Sequence, residues 1–306
     1  MKAHPEIKKI LVPVPLTSDF ITPLKQAIYF HEVYGSKILL MNVVPDVSVF
    51  HRVLRPEKLR NRNKKALKKL KKMTKSFFGG EIPPYMNFRI ANGELISAIL
   101  KSAEKFNSDL IIIKKAGRMQ GLLSFFRKEN ADKLIAESIC PVLTLINKPT
   151  EHGIRNILIP VDITKKTTNK VAWAISLAKK FKAKIHVVSV QNLDIKLVNS
   201  LSYKKSLIIE ENIKKEGLDV SMVLLKSDNQ AMEDIILSHA SSLKPDLFLI
   251  MTHQESILFD NYLGNFASKL IHKSPIPVFS VVPRKETLID GLANFSDLRR
   301  KQWKSI

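Results

Sequence analysis

The chain has 306 residues, 45% of them apolar and 25% charged, which gives room for about two domains and excludes the disordered and fibrous classes. Its single cysteine, Cys140, excludes an internal disulfide and a cysteine-based zinc site, and points to a reducing, cytoplasmic setting. The net charge of +22 favours anionic partners, and most of it sits early: residues 1–150 carry 27 Lys and Arg against 12 Asp and Glu, residues 151–306 carry 23 against 16.

In chain order, "KKILVPVPL" (Lys8–Leu16) reads as a buried strand, followed by a helix and a second strand, "SKILLMNVV" (Ser36–Val44). Next comes "RPEKLRNRNKKALKKLKKMTKSFF" (Arg55–Phe78), with eleven basic residues and one acid. Leu59, Ala66, Leu70, Met73 and Phe77 recur there at helical spacing, so a helix with a narrow apolar stripe and a cationic remainder is expected. After a third strand and another helix, "SDLIIIK" (Ser108–Lys114) is a fourth strand, running into "KAGRMQGLLSFFRKENADKL" and a closing strand "CPVLTLI" (Cys140–Ile146).

The same order then repeats. "RNILIPVDI" (Arg155–Ile163) and "AKIHVVSVQ" (Ala183–Gln191) repeat the first two strands at an offset of 147, "PDLFLIM" (Pro245–Met251) the fourth at 137, and "IPVFSVV" (Ile276–Val282) the last at 136. "TTNKVAWAISLAKKF" places Val171, Ile175 and Ala178 on one helical face, and the counterpart of the basic helix, "KLVNSLSYKKSLIIEENIKKEG", is mixed in charge. Apolar strands alternating with helices imply a parallel sheet covered on both faces, with ligands at the carboxyl ends of the strands where strand order reverses. The expected fold is therefore α/β, with two tandem doubly wound, Rossmann-like domains, each a five-stranded parallel sheet flanked by helices. The expected divisions are 1–148, 149–285 and a C-terminal amphipathic tail, 286–306, in which Leu288, Leu292, Phe295, Leu298 and Trp303 form one face. No apolar run approaches the roughly 18 residues of a membrane span.

These motifs, "ILVPV" and "ILIPVD", the two "DL" strands and their loops, and the paired closing strands, resemble those of a tandem universal stress protein, with copies over about 6–148 and 153–284. The resemblance implies the adenine-nucleotide alpha hydrolase-like version of the fold, and domains paired through their last strands about a pseudo-two-fold axis, one chain equalling a family dimer; a further homodimer stays open. Nucleotide-binding members of the family carry an aspartate after the first strand, which meets the adenine. After the fourth strand they have a glycine, two residues, a second glycine, nine residues, and Gly-Ser or Gly-Thr opening the last helix. Glycines there let backbone N–H groups approach phosphates, and the helix N-terminus adds favourable charge.

Carried onto the second copy, the pattern selects Asp162, Val190 beside the adenine, Met251 and Gln254 in place of two glycines with Thr252 and His253 between, and Gly264-Asn265 at the last helix. ATP with Mg²⁺ is the implied ligand, although Glu255 opposes a polyphosphate. The plainer alternative is that Asn265 caps the last helix and Asp162 turns the chain. In the first copy Pro15 replaces the aspartate, Lys114 the first glycine, and Arg127 or Lys128 the third, while Gly117 keeps the second. Lys114, Lys115, Arg118, Arg127 and Lys128 there suggest an anion site built from side chains, or only a solvated basic surface. No nucleophile elbow, metal helix or paired carboxylate site emerges. The expectation is a non-catalytic stress-response or regulatory protein with a ligand in the second domain only. The alternatives are a module that binds nucleic acid or an anionic surface through residues 55–75, and a weak ATPase.

Overall fold

The computed structural model describes residues 5–45, 56–115, 126–146, 153–162, 168–191, 201–227, 230–252 and 263–282. The first half runs β1 (Lys9–Pro13), α1 (Ile21–Tyr34), β2 (Lys37–Val44), α2 (Pro56–Phe77), β3 (Met86–Asn92), α3 (Leu95–Phe106), β4 (Leu110–Lys114), α4 (Lys128–Glu137) and β5 (Val142–Leu145). The second half repeats it as β6 (Asn156–Pro160), α5 (Thr168–Phe181), β7 (Lys184–Gln191), α6 (Leu201–Lys215), β8 (Val220–Lys226), α7 (Met232–Leu243), β9 (Leu247–Met251), α8 (Asn265–Lys273) and β10 (Val278–Val281). The expected alternation is thus present in both copies.

Within each half all strand pairs are parallel, as helical crossovers require. The halves then join edge to edge: β5 pairs β10 antiparallel, with Leu143 opposite Phe279, so the two five-stranded sheets form one ten-stranded sheet ordered β3-β2-β1-β4-β5-β10-β9-β6-β7-β8. Joining two edges removes two rows of unpaired backbone groups from solvent. The central strands are apolar throughout because helices cover both faces. One core unites Phe30, Leu70, Ile175 and Ile213 from α1, α2, α5 and α6, and the other unites Ile99, Leu134, Ile236 and Leu270 from α3, α4, α7 and α8.

Val171, Ile175 and Ala178 are all buried, as their spacing predicts. The "DL" aspartates are structural: Asp109 Oδ2 accepts from the backbone N–H groups of Lys8 and Lys9, each at 2.9 Å, and Asp246 Oδ2 does the same for Arg155 and Asn156, each at 2.8 Å. In each copy this carboxylate fixes the start of the fourth strand to the start of the first.

Aromatic packing closes the seam between α1 and α5. Phe181 stacks on Tyr29 at 5.4 Å and meets Phe30 edge-on at 5.2 Å. Tyr29 Oη accepts from the Ile154 N–H at 3.0 Å, and a Cβ on Gly153, whose φ is 78°, would lie 3.2 Å from that oxygen. The left-handed conformation favours glycine there, and a Cβ would press on the Tyr29 hydroxyl.

Candidate functional site

Strand order reverses twice. β1 lies between β2 and β4, and β6 lies between β7 and β9, so the carboxyl ends of β1/β4 and β6/β9 mark two equivalent crevices.

At the second crevice Asp162 follows β6, Val190 lies near the end of β7, and Met251 ends β9 with Thr252 after it. Val190, Met251 and Thr252 are buried, and Asp162 is half-buried. These residues converge because their strands are adjacent, although they are far apart in sequence. The Gly264 N–H donates to the Thr252 carbonyl at 2.9 Å, which ties the start of α8 to the end of β9. Gly264, not Asn265, occupies the cap position of α8, and Asn265 is the first helical residue. The reading of Asn265 as a capping residue is corrected on that point: a helical first residue faces along the first turn rather than back over it. The first turn of α8 also contains no acidic residue. His253 and Gln254 lie outside the described residues.

At the first crevice the same positions carry different chemistry. Lys114, at the end of β4, has only 13% of its side chain exposed and forms an ion pair at 2.7 Å with Asp19, in the short turn before α1. Lys115 Nζ donates to the carbonyls of Ile271, His272 and Ser274, at 3.0, 3.1 and 3.2 Å. It therefore satisfies the C-terminal carbonyls of α8, where a cation also meets the negative end of the helix dipole. Burial holds the Lys115 ammonium below its ordinary range. Arg127 caps α4 and Lys128 begins it, both exposed, but Glu129 supplies a negative charge within that helix's own first turn. The expected cluster is thus divided: Lys114 turns to Asp19 and Lys115 to the other half, while Arg127 and Lys128 stand at the start of α4. Gly117 and Arg118 lie outside the described residues.

Three side chains that sequence reading did not single out extend this cross-half contact. Asp132 on α4 accepts from Ser268 Oγ at 2.8 Å and lies 2.7 Å from His272 Nε2, both on α8. Asp132 and Ser268 are equivalent under the repeat offset of 136, which is the one sequence signal that pairs them. A shallow cleft of about 470 Å³ lies beside them, lined by Asp132, Lys133, Ala136, Leu263, Asn265 and Ser268.

The basic helix α2 lies on β2 and β3, at one end of the sheet. Ala66, Leu70 and Thr74 are buried, Met73 and Phe77 pack against the same core, and Leu59 is half-buried. All its cations from Lys58 to Lys75 are exposed, and none has an acidic partner among the described residues. On α6, by contrast, Lys214 and Lys215 pair with Glu210 and Glu211 at 2.6 and 2.8 Å. Arg55 lies outside the described residues, as does the tail 286–306. Cys140 is buried beside Ser138 and its thiol is pushed up to about 12, chiefly by burial, which disfavours the thiolate. Among the described residues no cluster of His, Cys, Asp and Glu is arranged to hold a metal, and no helix is long and apolar enough to cross a membrane.

A parallel sheet wound both ways from a switch point, with a helix N-terminus at its carboxyl edge, defines a Rossmann-like α/β domain, and this chain has two in tandem. It belongs to the universal stress protein family, whose model matches residues 6–145 and again 153–281. Among solved structures it resembles a universal stress protein from Archaeoglobus fulgidus DSM 4304, at 18% identity over 92% of this chain and 98% of that one, with a TM-score of 0.62. A putative universal stress protein from Pseudomonas aeruginosa UCBPP-PA14 also scores 0.62, at 18% identity over 90% and 94%. The cytoplasmic domain of a prokaryotic cation chloride cotransporter scores 0.52, at 10% identity over 94% and 99%. These likenesses are of fold. No curated protein matches.

Proposed function

We propose that this chain is a non-catalytic, cytoplasmic regulatory member of its stress-response family, binding an adenine nucleotide or a related small anion at the β6/β9 crevice only. The observation that carries this is that Asp162 at the switch point and the start of α8 at Gly264, whose first turn holds no acidic residue, border the same crevice. Asp162 would accept from the adenine, and the first-turn N–H groups of α8 would receive phosphate. Among the described residues neither conformation nor crowding demands glycine at 264: its φ is −58°, and a Cβ would meet the Thr252 carbonyl at 3.4 Å. Close approach of a phosphate would favour a glycine there. Lys114–Asp19 and Pro15 argue against an equivalent site in the first half.

Native mass spectrometry of the purified chain, before and after adding ATP with Mg²⁺, tests this. One nucleotide added per chain, lost in Asp162→Ala and weakened in a normally folded Gly264→Ala, is expected; a chain that gains no mass contradicts it. A second reading, docking on a polyanionic surface, is favoured by the exposed cations of α2, which have no acidic partner among the described residues.

A further inference from the structure

The apolar residues that would let α2 enter a bilayer are already used. Leu70 and Thr74 are fully buried, Ala66 nearly so, and no large apolar side chain of α2 is among the exposed ones. An interfacial membrane helix needs a free apolar face to lie in the headgroup region. What α2 offers outward is charge alone, set against one exposed carboxylate within it, Glu57, and another just beyond it, Glu81.

The arrangement of that charge discriminates further. At 100° per residue, Lys58, Lys64, Lys68, Lys71, Lys75 and their neighbours cover an arc of about 200°, along a helix about 33 Å long. A flat surface faces less than half of a cylinder, so a large share of these cations would point away from a membrane. The major groove of B-DNA is about 12 Å wide, admits an α-helix of about 10–12 Å, and presents phosphates along both walls. A helix cationic over more than half its circumference meets both walls at once. Because β3 is the edge strand, α2 sits at one end of the sheet, and its cationic side chains are exposed among the described residues. No aromatic residue stands among the exposed side chains of α2, which removes the stacking platform that single strands use.

From these observations we propose that α2 is a sequence-independent docking element for double-stranded DNA, seated in the major groove and holding phosphates on both walls. This rests on the polyanion reading of α2 and is independent of the nucleotide site. Binding should be electrostatic, with an affinity that falls linearly on a log–log plot against salt.

The test uses the full chain with a fluorescent duplex, the same sequence as a single strand, and phosphatidylserine vesicles, each over a salt series starting near 50 mM. The duplex should be preferred at every salt concentration. A Lys64→Gln, Lys68→Gln, Lys72→Gln, Lys75→Gln variant changes only exposed side chains, and unchanged melting would confirm its fold. It should bind more weakly, with a salt slope shallower by about 3–4. Preference for vesicles overturns the duplex proposal while keeping the polyanion reading. Retention of none of the three, or an unchanged slope in the variant, overturns both.

Discussion

The two switch points occupy equivalent places in one sheet and carry opposite chemistry. At β6/β9 a carboxylate, Asp162, follows the first strand of the copy and α8 begins at a glycine with no acidic residue in its first turn; at β1/β4 a proline, Pro15, stands at the equivalent position, and Lys114 is paired with Asp19. Lys115, one residue past β4, holds the C-terminal end of the very helix whose N-terminal end borders the β6/β9 crevice, and Asp132 grips the same helix through Ser268 and His272. Side chains beside the first crevice thus brace the other half.

The strongest way to break this relation is at the seam. Phe181→Ala removes a ring packed against Tyr29, Phe30 and Tyr34, and should cost about 3 kcal/mol in chemical denaturation. If the halves instead unfold independently, the loss will appear in only one of two transitions. Next, Asp19→Asn leaves a mostly buried Lys114 without its counter-charge. Because Asp19 is 41% exposed, the expected loss is limited to about 1–2 kcal/mol. A null result would show that solvent already screens the pair.

A smaller effect lies in the end of α5. Gly35 and Lys182 fill the same place in the repeat, both left-handed, with φ of 68° and 55°. Lys182→Gly should stabilise by up to about 1 kcal/mol, since glycine bears no Cβ penalty in that conformation. The smallest effect is one of slope. Burial lowers the folded-state pKa of Lys115, so between that value and its ordinary one near 10.4 the unfolded chain binds more protons, and stability contributed here rises with pH. Lys115→Met should lack that rise; parallel alkaline profiles for the two proteins would show that the ammonium is solvated rather than inserted between carbonyls.

The fold was legible because its signals are local and twice stated. Apolar runs of strand length separated by helical periods gave the parallel sheet, and the offsets of 147 and 136 gave the tandem order. Asp162 and Gly264 were legible only through the family pattern, since neither residue type announces a ligand by itself. The fates of Lys114 and Lys115 were not legible. They depend on partners 95 and 156–159 residues away, brought close by strand order and by the antiparallel β5–β10 pairing. A basic loop in sequence looks the same whether its lysines await an anion or already face a carboxylate and a helix end. On α2 the converse held: the stripe at Ala66, Leu70 and Met73 announced which face would be buried, and therefore which cations would remain outside.

The most direct test of the contrast between the crevices is the stoichiometry of ATP binding with Mg²⁺, measured by titration calorimetry on the wild-type chain, Asp162→Ala and Lys114→Gly. One site per chain is predicted, at least about tenfold weaker in Asp162→Ala, as loss of a hydrogen bond to a charged group implies, and unchanged in Lys114→Gly. Two sites per chain, or an affinity that Asp162→Ala leaves intact, would contradict the account.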